Sequence, residues 1–599
     1  MCAVFGIIGE YNDNTATSAL AKLSHRGPDY CGVFRKERLF FAHQLLNIQE
    51  KHTRAKQPLK YKHILLSFNG EIYNFEALKK ELAFEFHSQS DSEVIIAAYL
   101  KWGLGFVEHF QGMFAIALLD GETLYLFRDR LGKKPLFYLK GSSFVFASEI
   151  KALLPFLHKT EMEEEALLSY LSFLTPTPPF TFFKNIKSLK AGEYAVFKDN
   201  NLNIQSYYDI LSTKLSTITA KDEAIFKIET ALEEAMALRF KADVPMASLL
   251  SGGIDSATIN YYAKKQGLDL PTYTLGYKEY DKYDERANAK ESADFLGIAN
   301  TAVEIDEAMF IEASDKVLDT LDQPLNDPAA VPLYLLFERI KQDGYKVVMS
   351  GEGSDELFLG YRHYFEYLDI EDAGNLAHKN WLKKYFRANF SMNREWEWYK
   401  RVFDNTLLFR TSGEKFTDLQ KNQLLRCNIK DNQSLKYLQP YREKFLDSTH
   451  SDESIWYSYI DLNIFQAEHF LTKLDRVSMA HSIESRTPFL DHKLVETVFS
   501  IDPKLRYEDG VTKALLKNVM ANKLDEKILK RKKKGFANPY MEYLINSKKI
   551  DLIREVNQET GMFHEEKLEG YIQGAARGSF KQHIWGLYVL SYWIKKNLL

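Results

Sequence analysis

The sequence predicts a multidomain α/β protein. Stacked antiparallel sheets with covering helices come first, then a doubly wound parallel sheet and a largely helical remainder. Three observations carry this. The chain has 599 residues with 45% hydrophobic content, too long for one ordinary domain and ample for several cores. Its first third consists of short apolar runs punctuated by Gly, Asn-Gly and Asp-Gly. From Met246 onward, short apolar strands alternate with helical patterns, which implies right-handed crossovers within a parallel sheet.

The elements follow in order. "CAVFGIIG" is a short apolar strand closed by Gly9, and "HILLSFNGEIYN" is a strand broken by an Asn-Gly turn signal. "MFAIALLDGETLYLFRDR" is a hairpin joined through Asp120-Gly121. Helical segments are expected around Phe75–Leu82 and Ser92–Lys101. The first domain is expected to span residues 1–208. The polar, Ser/Thr-rich stretch that follows, residues 209–222, reads as a linker, and residues 223–599 read as the second domain. There "MASLL", "PTYTLGY", "TAVEI" and "YKVVMS" are strands, with helices between them. From Tyr361 the pattern is mostly helical and ends in "HIWGLYVLSYWIKK"; the insert between Tyr361 and Asp475 has no functional reading.

Composition narrows the function. A formal net charge of -4 on so long a chain argues against nucleic-acid or membrane-surface binding. The three cysteines, Cys2, Cys31 and Cys427, fit a reducing, cytoplasmic setting better than a disulfide scaffold. No apolar run reaches transmembrane length.

Cys2, directly behind the start methionine, admits three readings: a truncated secretion signal, a buried thiol heading a strand, or a terminal nucleophile. The first fails because Glu10 arrives too soon and nothing basic precedes the apolar run. The other two stay open on this stretch alone.

Two loops carry the chemistry of the second domain. "LLSGGIDSATI" is strand, glycine loop and helix start, so backbone N–H groups and a helix N-terminus converge on one anion. Ser251 and Ser256 add hydroxyl donors. The Gly-Lys-Ser/Thr ending of the common P-loop is missing. Asp255 would repel bound phosphates unless it held a metal, which implies Mg²⁺. "VVMSGEGSDELF" repeats the geometry with Glu352, Asp355 and Glu356 clustered, against the simpler reading of a solvated acidic turn. In "KRKKKGF" the default for Lys530, Arg531, Lys532 and Lys534 is a solvated face, with one lysine of the run able to turn toward phosphates. Asn69-Gly70 at a strand end offers a side-chain amide beside a backbone N–H, either an oxyanion hole or a plain turn.

Together "MCAVFGIIG", "HRGPD", "NGEIYN", "SDSE", "RDRLGKKPL", "LSGGIDS", "SGEGSDELFLGY", "DRVSMAHSIESRTPFLD" and "KKKGF" resemble the glutamine-hydrolysing asparagine synthetases nearly end to end. The resemblance implies an N-terminal-nucleophile αββα sandwich with glutaminase activity. It also implies an ATP-pyrophosphatase-type synthetase domain. Removal of Met1 would make Cys2 the terminal residue, whose own α-amine, with an ordinary pKa of about 7.7–8.0, accepts the thiol proton. By the resemblance, Asn69 and Gly70 stabilise the oxyanion, Glu71 and Asp91 hold the glutamine α-amine, and Arg26 with Asp29 shapes that pocket. Gly252, Gly253 and Ser256 cradle pyrophosphate, Asp255 and Asp355 hold Mg²⁺, and Leu250, Leu275, Ser350 and Gly351 surround adenine. Glu352 and Lys533 stand at the adenylate as catalytic groups. Ammonia travels through an internal tunnel, and the family allows a homodimer.

The leading expectation is ATP-dependent conversion of aspartate to asparagine with glutamine as donor. The alternatives are amidation of another carboxylate, such as a uronic acid, and a non-catalytic paralogue, against which retention of the catalytic set argues. One departure stands out: Leu45 occupies the place of the family's arginine that clamps the glutamine α-carboxylate. A working but altered glutamine site is expected, with Arg54 or Lys51 supplying the charge from another direction.

Overall fold

The structure is a computed structural model that describes residues 2–49, 56–213, 215–390, 394–409, 414–430, 432–508, 510–532, 535 and 537–599. Its first part contains β1 (Ala3–Ile8), β2 (Tyr30–Lys36), β3 (Leu39–Leu45), β4 (Leu59–Tyr61), β5 (Ile64–Ile72), β6 (Gly112–Asp120), β7 (Thr123–Arg128), β8 (Phe137–Lys140), β9 (Phe144–Ala147), β10 (Ile186–Ser188), β11 (Glu193–Lys198) and β12 (Asn201–Ser206). They form two six-stranded sheets, ordered β10-β8-β9-β1-β3-β2 and β12-β11-β7-β6-β5-β4, antiparallel throughout.

The period-2 alternation of the strands decides which side chains meet. Val4, Phe41, Leu65, Ala117 and Phe146 fill the space between the sheets. Ala3, Phe5 and Ile7 face the other way, onto Ala16, Ala19 and Leu20 of the helix Asp13–Ala21. On the far side Ile64, Leu66 and Phe68 pack on Val94, Ile95 and Ala98 of the helix Ser92–Trp102. This is the αββα sandwich. Asp120-Gly121 is the expected hairpin, with Asp120 opposite Thr123.

Asn69-Gly70 is not a turn. Strand β5 runs straight through it, pairing Asn69 with Ala115 and Gly70 with Phe114. A Cβ on Gly70 would lie 2.0 Å from the Met113 carbonyl oxygen, so the glycine permits close strand approach and does not reverse the chain.

The second part holds β13 (Met246–Leu249), β14 (Thr272–Tyr277), β15 (Asn300–Ile305), β16 (Val347–Met349) and β17 (Glu484–Arg486), in the order β15-β14-β13-β16-β17 and all parallel. The winding reverses between β13 and β16. The loops leaving these two strands therefore open side by side at the carboxyl edge, where such sheets bind ligands.

The insert that had no sequence reading is helical and docks on the first part. The N–H of Phe416 donates to the Leu171 carbonyl at 3.1 Å, and Lys421 Nζ donates to Ser172 Oγ at 2.8 Å. The C-terminal helix Lys581–Asn597 is buried against the same region, with the Tyr170 hydroxyl donating to the Gly586 carbonyl at 2.8 Å. Buried charge locks the two parts together: Arg26 pairs with Asp475 at 2.7 Å and Arg128 with Glu468 at 2.9 Å. No described helix is long and apolar enough to cross a membrane.

Candidate active sites

The first site lies at the head of β1. Cys2 is buried, and its pocket is lined by Leu45, Leu46, Asn47, Gln49, Gly70, Glu71, Ser90 and Asp91 among others. The backbone N–H of Cys2 donates to Asn69 Oδ1 at 3.0 Å. Asn69 is fully buried, and its Nδ2 has no partner among the described residues. A buried amide with one end holding the nucleophile's nitrogen and the other end unsatisfied is a donor waiting for an oxyanion. Burial pushes the Cys2 thiol up to about 11, so it needs a base at neutral pH.

Two carboxylates share that pocket. Burial pushes Asp91 up to about 6, although the Ile72 N–H donating to Oδ2 at 2.8 Å opposes the shift. Burial, reinforced by Glu484, holds Glu71 well above the usual carboxylate range. Glu71 accepts from Gln49 Nε2 at 2.6 Å and has Arg486 at 3.5 Å. A cationic group entering here would let both acids ionise. Leu45 lines the pocket half-buried, and no cation is among the described lining residues. Lys51 and Arg54 lie outside the described residues.

Arg26 is a correction. It does not line the pocket; its buried guanidinium lies behind the nucleophile, with Nε on the Cys2 carbonyl at 3.1 Å and NH1 on Glu149 at 2.8 Å and Asp475 at 2.7 Å. From there it braces the head of β1 through the Cys2 carbonyl. Asp29 likewise braces the wall, accepting the Asn47 N–H at 2.8 Å.

The second site is a cleft of about 400 Å³ between the loops after β13 and β16. Ser251, Gly253, Asp255, Ser256, Ser350, Gly351, Glu352 and Asp355 line it. Leu250, Gly252 and Leu275 are not among the lining residues. Gly252 has φ +78°, and a Cβ there would come within 2.6 Å of the Asn288 carbonyl carbon, so only glycine makes this turn. Lys533 lies outside the described residues. Arg531, expected to be solvated, is half-buried and donates to the Gly252 and Asn288 carbonyls, clasping the glycine turn from outside.

Sequence reasoning missed Lys513. Its Nζ lies 2.5 Å from Asp255 and 2.8 Å from Asp355, at the start of the helix Ala514–Met520. Burial alone would pull this ammonium down, but the two carboxylates hold it above its ordinary value. Lys513 has φ +57°, a strained backbone that a functional site retains. A lysine opening a helix in "GVTKALLK" was the available signal, too common to act on. Asp327 and Lys473 also line the cleft and were not singled out. The donor set of Asp255, Asp355 and the Ser354 hydroxyl, 2.6 Å from Asp255 Oδ1, is all hard oxygen and gathers around a cation already, which fits a divalent ion completed by phosphate oxygens.

Comparison with known proteins identifies the family. The sequence model of the family described as asparagine synthase matches residues 227–595, and that of the glutamine amidotransferase domain matches residues 1–208. The chain is 31% identical to asparagine synthetase [glutamine-hydrolyzing] 1 of Bacillus subtilis over 595 residues, covering 96% of this chain and 92% of that protein. It is 29% identical to asparagine synthetase [glutamine-hydrolyzing] 3 of the same organism, covering 86% and 82%. It is 28% identical to amidase chry2 of Gibberella zeae, covering 87% and 84%.

Proposed function

The chain belongs to the asparagine synthase family of glutamine-dependent ligases, and from that premise we propose that it converts L-aspartate to L-asparagine, with glutamine as nitrogen donor and ATP as the source of activation. The observation that carries the reading is the pairing within one interlocked molecule of a thiol pocket and a strand-end phosphate cleft. Once Met1 is removed, the α-amine of Cys2 takes the thiol proton, and the thiolate attacks the glutamine side-chain amide. Asn69 Nδ2 and the Gly70 N–H receive the oxyanion, ammonia leaves, and water releases glutamate from the thioester. Glu71 and Asp91 hold the donor's ammonium.

In the cleft the acceptor carboxylate attacks the α-phosphorus of ATP, pyrophosphate leaves, and ammonia displaces AMP from the acyl-adenylate. Gly253, Ser251 and Ser256 face the phosphates, and Lys513 neutralises charge beside them. Asp255 and Asp355 would hold Mg²⁺, which lends further positive charge to the phosphates. Glu352 stands where the incoming amine loses its proton, and Lys533 is assigned to the developing charge from sequence alone. Residues 1–208 carry the glutaminase and 223–599 the ligase. Purified enzyme should form asparagine, AMP and pyrophosphate in equal amounts from aspartate, ATP and glutamine. Pyrophosphate release indifferent to aspartate would refute the acceptor assignment.

A further inference from the structure

A cavity of about 150 Å³ shares no lining residue with either site. Three elements wall it: the segment after β9, the end of the helix Glu307–Thr320 with the turn beyond it, and the C-terminal helix Lys581–Asn597. Close-packed interiors contain few voids larger than a water molecule, and one of this volume is large enough for a benzene ring. Leu318, Val589 and Trp593 form its buried apolar lining. Trp593 is 4% exposed and packs on Phe182 and Phe183, yet its indole N–H meets no acceptor among the described residues.

The charged lining residues are two ammoniums and two carboxylates, arranged in two pairs. At the rim Lys596 pairs with Asp319, both about half exposed, and the Tyr592 hydroxyl donates to the same carboxylate at 2.8 Å. A half-exposed pair is weak and opens readily. Deeper, Lys151 pairs at 3.2 Å with Asp322, whose side chain is 2% exposed. This second pair leads inward. Lys151 also meets Glu149 at 3.0 Å, Glu149 meets Arg26 at 2.8 Å, and Arg26 Nε donates to the Cys2 carbonyl. Arg476 spans Glu149 and Asp322, at 2.8 and 3.6 Å. The cavity wall thus continues into the buried charges behind the nucleophile.

We propose that this cavity is an effector site for an α-amino acid with an apolar side chain of leucine or phenylalanine size. The side chain fills the apolar lining. The zwitterion opens the rim pair, its carboxylate on Lys596 and its ammonium on Asp319. One weak pair is exchanged for two, whereas a ligand with a single charge satisfies one rim residue and strands the other. Lys151 divides between Glu149 and Asp322, and a ligand packed on its stem favours one of these pairings over the other. Occupancy is therefore felt at Arg26 and read as a change in glutaminase activity. By linkage, glutamine alters the effector's affinity by the same factor. The site goes beyond the ligase reading and does not depend on which acceptor is used.

The test is isothermal titration calorimetry of the full-length enzyme with L-leucine and L-phenylalanine. Their deamino counterparts, 4-methylpentanoate and 3-phenylpropionate, and their decarboxylated ones, 3-methylbutylamine and 2-phenylethylamine, are titrated alongside. One amino acid should bind with a Kd below about 1 mM, about tenfold or more tighter than its counterparts. No binding of either amino acid up to about 20 mM overturns the site, and counterparts that bind as tightly overturn the zwitterion assignment. Lys596→Gln and Asp319→Asn, both at the surface, should each weaken binding about tenfold, and Val589→Phe should block it by filling the cavity. Binding that all three leave unchanged lies elsewhere and overturns the proposal. With the amino acid bound, glutaminase at subsaturating glutamine should change about fivefold, and Lys151→Gln should lose that response while still binding. Binding that moves neither the KM nor the kcat of glutaminase refutes the effector role.

Discussion

Arg486 places NH2 3.5 Å from Oε1 of Glu71, while its backbone carbonyl accepts the Ser350 N–H at 2.9 Å. One residue thus touches the thiol pocket with its side chain and the phosphate cleft with its main chain. Its Nε also binds Glu484 at 2.6 Å, and NH1 binds the Arg239 carbonyl at 2.8 Å. Burial would raise Glu484, but Arg486 keeps it low.

Arg486→Met should therefore cost roughly 3–5 kcal/mol at pH 7.5, because the buried, ionised Glu484 carboxylate loses its cation. The sign with pH follows. Without the guanidinium the folded-state pKa of Glu484 rises, so the deficit is greatest where it must ionise and shrinks as pH falls toward 5. Urea unfolding of wild type and variant at pH 5.5 and 7.5 measures this. A gap that widens on acidification contradicts it.

Cys2→Ala should abolish glutaminase and glutamine-dependent synthesis while ammonia-dependent synthesis persists. The nucleophile and the phosphate loops occupy different sheets, so chemistry at one does not need the other's thiol. A folded variant that has lost ammonia-dependent activity tells against the assignment.

Asp255→Asn should slow pyrophosphate release by about a hundredfold or more, with glutaminase retained. Lys513→Met should do the same, because the Asp255 and Asp355 carboxylates would then oppose the nucleotide's charge. Near-normal pyrophosphate release in either variant, across a Mg²⁺ titration, rules out this cation site.

Leu45→Arg should lower the glutamine KM, most clearly with Lys51→Ala and Arg54→Ala in the same chain. A carboxylate gaining its charged partner in a half-buried pocket is worth roughly 2–5 kcal/mol, about two to three orders of magnitude. A KM that none of the three substitutions moves excludes charge as the means of holding the donor's carboxylate.

Asp91 at about 6 sets a pH limit on donor binding. It must be ionised to hold an ammonium, so glutamine KM should climb as the pH falls through about 6. Initial glutaminase rates from pH 5 to 8 show this. A flat KM across that range removes Asp91 from the binding set.

Much of this was legible in the sequence because it is local. A strand, two glycines and a helix start within "LLSGGIDSATI" build an anion cradle from neighbours in the chain, and "MSGEGSDELF" gathers its carboxylates from neighbours in the same way. The alternation of Ala3, Val4, Phe5 and Ile7 likewise assigns each side chain a sheet face. Even Asn69-Gly70 misled only about backbone direction, because the pair's turn preference yields to the ladder with β6.

By itself, then, the sequence determined the two folds, their order and the chemistry carried by contiguous motifs. Tertiary structure alone decided that Lys513 meets Asp255 across 258 residues, that Arg26 pairs with Asp475, and that Lys473 finds Asp327. The physical reason is range. Propensity and periodicity act over a few residues, whereas a buried ion pair forms wherever packing removes two opposite charges from water together, and no spacing in the chain records that meeting.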